Sequence, residues 1–463
     1  MGLRCQTGVN QCIEPQQNSK TRKRLARLLS ALSVYVLLFG SAVADSVDAA
    51  IPETVSLHGQ FTHLWQYHPA FRSLYRGTNS LDPGSLGDET TDATLYLRLH
   101  VWRHGEIEID PEVDQGFGLS NTMGLAAFPS GEAYKLGKTS PYLRLQRLLV
   151  RQTIDLGGND VAYAPAPHQS GGQQANDTLV LTAGKFSIVD IFDTNPYAHD
   201  PRGDFMNWAI IDAGAFDYAG DAWGYSYGLA AEWTHNRWTL RGGIFNLSRV
   251  PGSTELQRNF GQFEITGEIE RRYTLGSEGG SLKLLGFLNR GRMGAYKDAV
   301  RLAEATHALP NTGLVRTYAS RAGAAFNLEQ AISHNIDIFA RVSVNDGSKE
   351  TFDFTDINAS VSAGLSWKGA SWDRPCDTVG VAVETGEISK SARDYIAAGG
   401  LGILIGDGKL AHYGSEDVIE TYYDAAVVAG IYLTADYQWI ANPAYNRDRG
   451  PVAIVSARIH AEL

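Results

Sequence analysis

The residues best suited to chemistry in this 463-residue sequence are the carboxylates Glu106, Glu108, Asp110 and Glu112, each two positions from the next. On an extended strand that spacing puts all four on one face, with neighbours about 7 Å apart. Such a pair suits the acid and base of a glycosidase, and equally the polar wall of a water-filled pore. Arg98, Arg147 and Arg151 are the matching cations, and Arg147 and Arg151, four apart, share a strand phase. The bland alternative for each arginine is a surface ion pair of little energetic consequence. A second group lies in Asp200-Pro201-Arg202-Gly203-Asp204-Phe205-Met206-Asn207-Trp208. Charge, amide and indole together suit a sugar, since Arg202 can donate to hydroxyls and Trp208 can lie against C–H groups. A plain structural loop fits the same residues.

Other motifs carry less. Gly224-Tyr225-Ser226-Tyr227-Gly228 matches the nucleophile pattern G-x-S-x-G, but that chemistry needs a sharp strand-to-helix turn, and Ser226 sits in an alternating stretch. Gly400, Gly402 and Gly406 have the wrong spacing for a dinucleotide fingerprint. Cys5, Cys12 and Cys376 lack metal-site spacing. The residues therefore point to no catalytic set, no metal and no cofactor.

The elements that must position these groups are strands. Leu95, Leu97, Leu99 and Val101 alternate with Tyr96, Arg98, His100 and Trp102; past His104-Gly105, Ile107 and Ile109 alternate with Glu106, Glu108 and Asp110. This predicts a hairpin with one charged face. Val55 to His68 reads as a first strand. Tyr225, Tyr227, Leu229, Ala231 and Trp233 lead through His235-Asn236-Arg237 to Trp238, Leu240 and Ile244, which places aromatics near both membrane interfaces. The same grammar recurs at Phe263–Ile269 with Leu282–Leu288, at Tyr318–Leu328 with Ile336–Val344, and at Ile357–Trp367. From Thr421 to Tyr437 the odd positions are apolar or small, while Glu420, Asp424, Thr434 and Asp436 take the other phase, which reads as one strand. A last strand alternates from Ala453 to Leu463, with Ser456, Arg458 and His460 opposite, and would pair with the first strand in a barrel. About sixteen such strands are expected, within the range for single-chain outer-membrane barrels. Residues 156–177 and 299–315 are too long for periplasmic turns and are expected to be external loops or an inward-folded constriction.

The first 44 residues read differently. Basic residues from Lys20 to Arg27 precede an apolar run from Leu28 to Val43 that ends Ala42-Val43-Ala44. This predicts a secretory signal peptide over 1–44, with the barrel occupying 45–463. A net charge of -11 excludes nucleic acid as a partner, because the phosphate backbone would be repelled.

Three separated runs carry a family resemblance. Glu420-Thr421-Tyr422-Tyr423, Leu433 to Pro443 (LTADYQWIANP) and Ala457-Arg458-Ile459-His460 resemble the C-terminal signature of the carbohydrate-selective porins of Gram-negative outer membranes, OprB type. Pro111 to Ser120 with Ala127 to Ala133 is similar to that family's N-terminal third, and Gly399–Gly402 with Ile405–Gly408 to its penultimate region. The resemblance implies an all-β, transmembrane antiparallel barrel of sixteen strands in the bacterial outer membrane, with sugars as the substrate class. The residues alone give only a polar lumen. The resulting reading is a porin, not an enzyme, that passes mono- or oligosaccharides by diffusion through a mixed-charge constriction. Its pore-lining sugar contacts would be Arg98, Glu106, Glu108, Asp110, Glu112, Arg147, Arg151, Arg202 and Trp208. The lipid bilayer and, through the C-terminal strand, the barrel-assembly machinery are the other expected partners, and a homo-oligomer is compatible with the reading. A non-selective diffusion porin is the nearest alternative. An outer-membrane hydrolase would need a base and nucleophile pair that is not found, and a soluble secreted lectin stands third.

Overall fold

A computed structural model describes residues 55–133, 137–163, 172–353 and 355–463. The expected leader, residues 1–44, lies outside the described residues. The chain forms sixteen antiparallel strands: β1 (Val55–His68), β2 (Leu86–Trp102), β3 (Gly105–Gly116), β4 (Lys138–Tyr163), β5 (Gly172–Phe186), β6 (Ser226–His235), β7 (Trp238–Asn246) and β8 (Phe263–Leu275) come first. They are followed by β9 (Glu278–Gly294), β10 (Arg316–Ala331), β11 (Ile336–Asn345), β12 (Ala359–Lys368), β13 (Thr378–Glu387), β14 (Glu416–Val428), β15 (Ile431–Ala441) and β16 (Val452–Glu462). Each strand pairs with its sequence neighbours, and β1 pairs with β16 to close the barrel. At the seam Gln60 lies opposite Glu462 and Tyr67 opposite Val455.

Alternation sets inside and outside. Along β9, Leu282, Leu284 and Leu288 are exposed while Ser281, Lys283, Leu285 and Asn289 are buried. Outward leucines facing lipid and inward polar groups are what a bilayer-spanning barrel requires. The two rims differ. Arg103-His104, Asn236-Arg237, Gly276-Ser277 and Ala429-Gly430 each join two strands directly. Each carries a residue with positive φ: His104 at 58°, Asn236 at 53°, Gly276 at 64° and Gly430 at 73°, as two-residue hairpin loops demand. The opposite rim carries the long connections, among them residues 117–137, 187–225, 247–262 and 388–415. Short turns mark the periplasmic side of such barrels and long loops the external side. Among the described residues three α-helices stand in the long loops: α1 (Trp208–Ile211), α2 (Tyr296–Thr306) and α3 (Lys390–Ala397). The last two pack together, Tyr296 against Tyr395 with ring centroids 4.9 Å apart.

Four expectations are corrected. The stretch from Thr421 to Tyr437 is two strands, β14 and β15, joined at Ala429-Gly430. A bulge between Ala426 and Val428 shifts the register by one, so odd positions face outward on both sides of the turn and the alternation looks unbroken. Tyr225 and Ile357 precede their strands and are buried, 5% and 0% exposed, instead of facing lipid. Residues 156–177 extend the β4–β5 hairpin as far as the Tyr163–Gly172 pair on the short-turn rim, so this stretch is neither an external loop nor a constriction; residues 164–171 lie outside the described residues. Residues 299–315 do lie on the long-loop rim, within and after α2.

Depth along the wall predicts tolerance to charge. Val427, Ile431 and Ile338 face outward but sit beside short turns, at the membrane interface. Leu284, 57% exposed, lies well inside β9, between Ile269 and Phe326 on the neighbouring strands. Leu284→Arg should therefore cost ~2–4 kcal/mol and Ile431→Arg ~0–1 kcal/mol. Reversible denaturant unfolding in lipid vesicles measures both. Equal losses at the two depths would contradict the assignment of the rims. Thr434, on the inner face, is 4% exposed and accepts a hydrogen bond from Arg458 Nε at 3.1 Å, so it is no free water-facing site for added charge.

Candidate functional site: a charged wall facing an inward-folded loop

The inner faces of β2, β3 and β4 form a ladder of opposite charges. Cross-strand register places Arg98 opposite Glu108, Glu106 opposite Arg151 and Asp110 opposite Arg147. Opposed charges at such positions attract across the sheet. Arg98 Nη2 donates to Glu108 Oε2 at 2.9 Å, and Arg151 Nη1 stands 3.8 Å from the same oxygen. His100 Nε2 lies 2.8 Å from Glu106 Oε1. A register shift opposite Asp110 and Pro111 leaves Gln146 as an extra residue in β4, so Gln146 and Arg147 both turn inward. Gln146 Nε2 then donates to Glu112 Oε1 at 2.8 Å.

Across from this ladder lies the 187–225 loop, which folds into the lumen between β5 and β6. Its Asp190 clamps Arg147 in a fork: Nε to Oδ2 is 2.8 Å and Nη2 to Oδ1 2.6 Å. Its Arg202 reaches the wall, with guanidinium nitrogens 3.0 Å from Asp92, 2.9 Å from Glu112 and 3.3 Å from Glu132. Burial pushes the Glu132 carboxyl well above the ordinary carboxylate range; Arg202 pulls the other way, and Asp92 and Glu112 add to the rise. Arg202 itself stays protonated against the cost of burial because Asp92 and Glu132 flank it.

The far wall holds the loop in place. Glu420 accepts from the backbone N–H groups of Met206 and Asn207 at 2.5 and 3.1 Å. Arg458 donates to the carbonyls of Pro201 and Asp204 at 2.6 and 3.0 Å, and Arg341 to those of Ile210 and Ala198 at 2.8 Å each. Arg321 pairs with Asp217, and Asn345 donates to Ala215 O at 2.8 Å. Most of these bonds run to backbone atoms, so they fix the path of the loop more than its side chains. The inner surface is thereby divided: β9 to β16 hold the loop chiefly by its backbone, while β2 to β4 meet its charged side chains, Asp190 and Arg202, with a ladder of opposite charges.

Between them lies a cavity of about 690 Å³ that reaches the short-turn rim at Tyr432 and Leu463. Of the nine residues singled out in the sequence, Glu108, Arg147, Arg151, Arg202 and Trp208 border it. Arg98, Glu106, Asp110 and Glu112 do not border it; they sit on the inner faces of β2 and β3 and pair with or flank the bordering charges. Trp208 lies 3% exposed, its ring stacked on Phe128 at 5.3 Å and 8°, so it is no open aromatic platform. Further aromatic lining comes from residues not singled out as sugar contacts in the sequence: Tyr96, Tyr218, Trp223 and Tyr225, also largely buried, and the half-buried Tyr432. Tyr225 places its ring 5.2 Å from the Arg147 guanidinium. Tyr96 shares the strand phase of Arg98, which was the available signal for it. Tyr218, Trp223, Asp190 and Glu132 lie in loops, where alternation gives none. Ser226 of the G-x-S-x-G motif is fully buried and donates to Asn246 O at 2.6 Å, without the exposed turn a nucleophile needs.

A protein-family model described as "Carbohydrate-selective porin, OprB family" matches residues 78–463. Among solved structures, the high-pH form of Pseudomonas putida OprB matches with a TM-score of 0.67 at 14% identity, over 89% of this chain and 94% of that one. The low-pH form of the same protein gives 0.49 at 12%, covering 89% and 93%. The outer membrane channel DcaP of Acinetobacter baumannii gives 0.47 at 12%, covering 88% and 97%. At these identities the likeness is one of fold, and the first of the three carries it. A search of curated proteins gives no match.

The Arg202 cluster makes a test of ion selectivity. Arg202→Gln removes the guanidinium between Asp92, Glu112 and Glu132 and should shift the reversal potential in a salt gradient toward cations. Glu132, neutral to higher pH than an ordinary carboxylate, should ionise late as pH rises and add to cation selectivity. Glu132→Gln should match wild type at low pH and lack that late shift. Identical pH profiles for wild type and Glu132→Gln would remove Glu132 from the conduction path.

Proposed function

Since the chain belongs to the carbohydrate-selective porin family of OprB type and is a sugar-passing channel of the bacterial outer membrane, we propose that its sugars cross between the β2–β4 wall and the 187–225 loop. The observation that carries this reading is the division of the inner surface, which leaves guanidinium, carboxylate and aromatic groups together along one cavity. A neutral polyol gains from both signs of charge, because guanidinium N–H groups donate to hydroxyl oxygens and carboxylates accept from hydroxyl hydrogens. Tyr96 and Tyr225 add apolar faces for C–H groups. Binding has to remain weak for passage: a millimolar dissociation constant corresponds to only about -4 kcal/mol. In this reading Glu106, Glu108 and Asp110 line the wall and do not hydrolyse the sugar, since each stands beside an arginine or histidine that it serves to neutralise. The leader is cut after Ala44, and β16 is the strand offered to the barrel-assembly machinery.

Arg151 and Arg147 separate sugar contact from loop anchoring. Arg151 has a side chain 22% exposed, whereas Arg147 is held by Asp190. Arg151→Ala should weaken sugar block of single-channel current by on the order of tenfold, as for a lost charge-assisted hydrogen bond, with small-ion conductance changing less. Arg147→Ala should instead release Asp190 and the loop, raising small-ion conductance and current noise together. Wild-type sugar block in Arg151→Ala would exclude this wall as the sugar path.

A further inference from the structure

Outside the lumen, one sector of the long-loop rim is built unlike the rest of the outer wall. β9 faces lipid with its even positions, and toward the rim these become Arg290 and Arg292, beyond Leu282, Leu284 and Leu288. Arg258, exposed in the 247–262 loop, lies over the outward ring of Tyr227, 5.7 Å from its centroid. Register gathers the two β9 arginines with their neighbours: Arg290 stands opposite Phe263 on β8 and Ser320 on β10, and Arg292 opposite Tyr318. Arg290 donates to Ser320 Oγ at 2.9 Å and lies 4.5 Å from the Tyr318 ring. None of the three arginines has an ion-pair partner among the described residues. Outward positions at the same rim elsewhere are acidic or neutral: Glu89 on β2, Gln115 on β3, Glu387 on β13 and Asp417 on β14. In a chain of net charge -11, that concentration of unpaired cations on one lipid-facing sector is specific.

A recess accompanies the arginines. The 247–262 loop stands off the wall and, with Arg292 and Tyr318, encloses a cavity of about 600 Å³ lined also by Gln257 and Gln262. The carboxylate in it, Glu255, is taken by Arg249 at 2.7 Å, and Tyr318 closes one side by donating to Gly261 O at 3.0 Å. We propose that this sector binds the phosphate-bearing headgroup of a lipid in the external leaflet. The position selects the class of ligand: groups that face outward below the rim meet lipid, and the anion a lipid presents at that depth is a headgroup phosphate. Guanidinium forks match phosphate oxygens two at a time, and the amides and ring edges of the recess suit a polar headgroup beneath them.

The test uses the full chain in an uncharged detergent, with native mass spectrometry reading retention of bis-phosphorylated lipid A against phosphatidylcholine. Wild type should retain lipid A preferentially, and a large excess of inorganic phosphate should not displace it. The Arg258→Gln/Arg290→Gln/Arg292→Gln variant should bind at least tenfold more weakly, given about fivefold per arginine. Arg271→Gln, outward at the opposite rim over Trp238, should bind as wild type. Sugar-blockable conductance reports whether the triple variant is folded; if it is not, Arg292→Gln alone decides, with an expected fall of about fivefold. Unchanged lipid A retention in the folded variant would overturn the proposal. Displacement by inorganic phosphate would overturn it too, by showing a site for a free anion.

Discussion

A barrel in lipid exists only if no backbone group on its strands is left without a partner, and the seam between β1 and β16 is where this chain meets that condition. Gly59 and Leu463 exchange backbone hydrogen bonds at 3.0 and 2.8 Å, the last residue of the chain completing the ladder of the first strand. In hydrocarbon each orphaned N–H or carbonyl would cost several kcal/mol, so an open sheet is not a state the bilayer tolerates. Closure in turn forces the two-faced strands: one face meets acyl chains, the other a lumen that must be filled with water, side chains or loop. The charged ladder on β2 to β4 and the sockets on β9 to β16 are two solutions to that second requirement.

The wall was readable because alternation is a local property. Val55–His68, the β2–β3 hairpin, the β8–β9 hairpin and the last strand all follow from period-two patterns of a few residues. Where local reading failed, a compensating irregularity was at work. The bulge at Ala426 and Val428 cancels the phase change a two-residue turn would otherwise impose, so two strands read as one. At Tyr225 and Ile357 the pattern continues past the end of the wall into residues that turn into the lumen.

The loop was the larger blind spot. Its sequence is rich in small, apolar and aromatic residues, from Phe205 and Trp208 to Phe216, Tyr218 and Trp223, which carry no period. What fixes it are contacts between residues far apart in the chain, such as Glu420 with Met206 or Arg341 with Ile210. Glu420 and Arg458 were legible as lumen-facing, yet nothing in a strand pattern says that their partners are backbone atoms of a distant loop. The short segment from Asp200 to Trp208 did stand out by composition, and it contributes Arg202 to the charge cluster; Trp208 went to packing against Phe128 instead.

The separation of sockets from charged wall bears on how such a chain can change over time. Arg341, Arg458 and Asn345 hold the loop chiefly by its carbonyls, atoms that every residue type provides, so side chains along the loop other than the anchoring Asp190, Asp193 and Asp217 can be exchanged without unmooring it. The opposing face on β2 to β4 is contributed by a different part of the chain and makes few of those attachments. Apart from Arg147, which also holds Asp190, substitutions that retune what the passage admits therefore fall largely on one set of positions and substitutions that would unseat the loop on another. Lineages that inherit this barrel can drift in solute preference while keeping the same architecture.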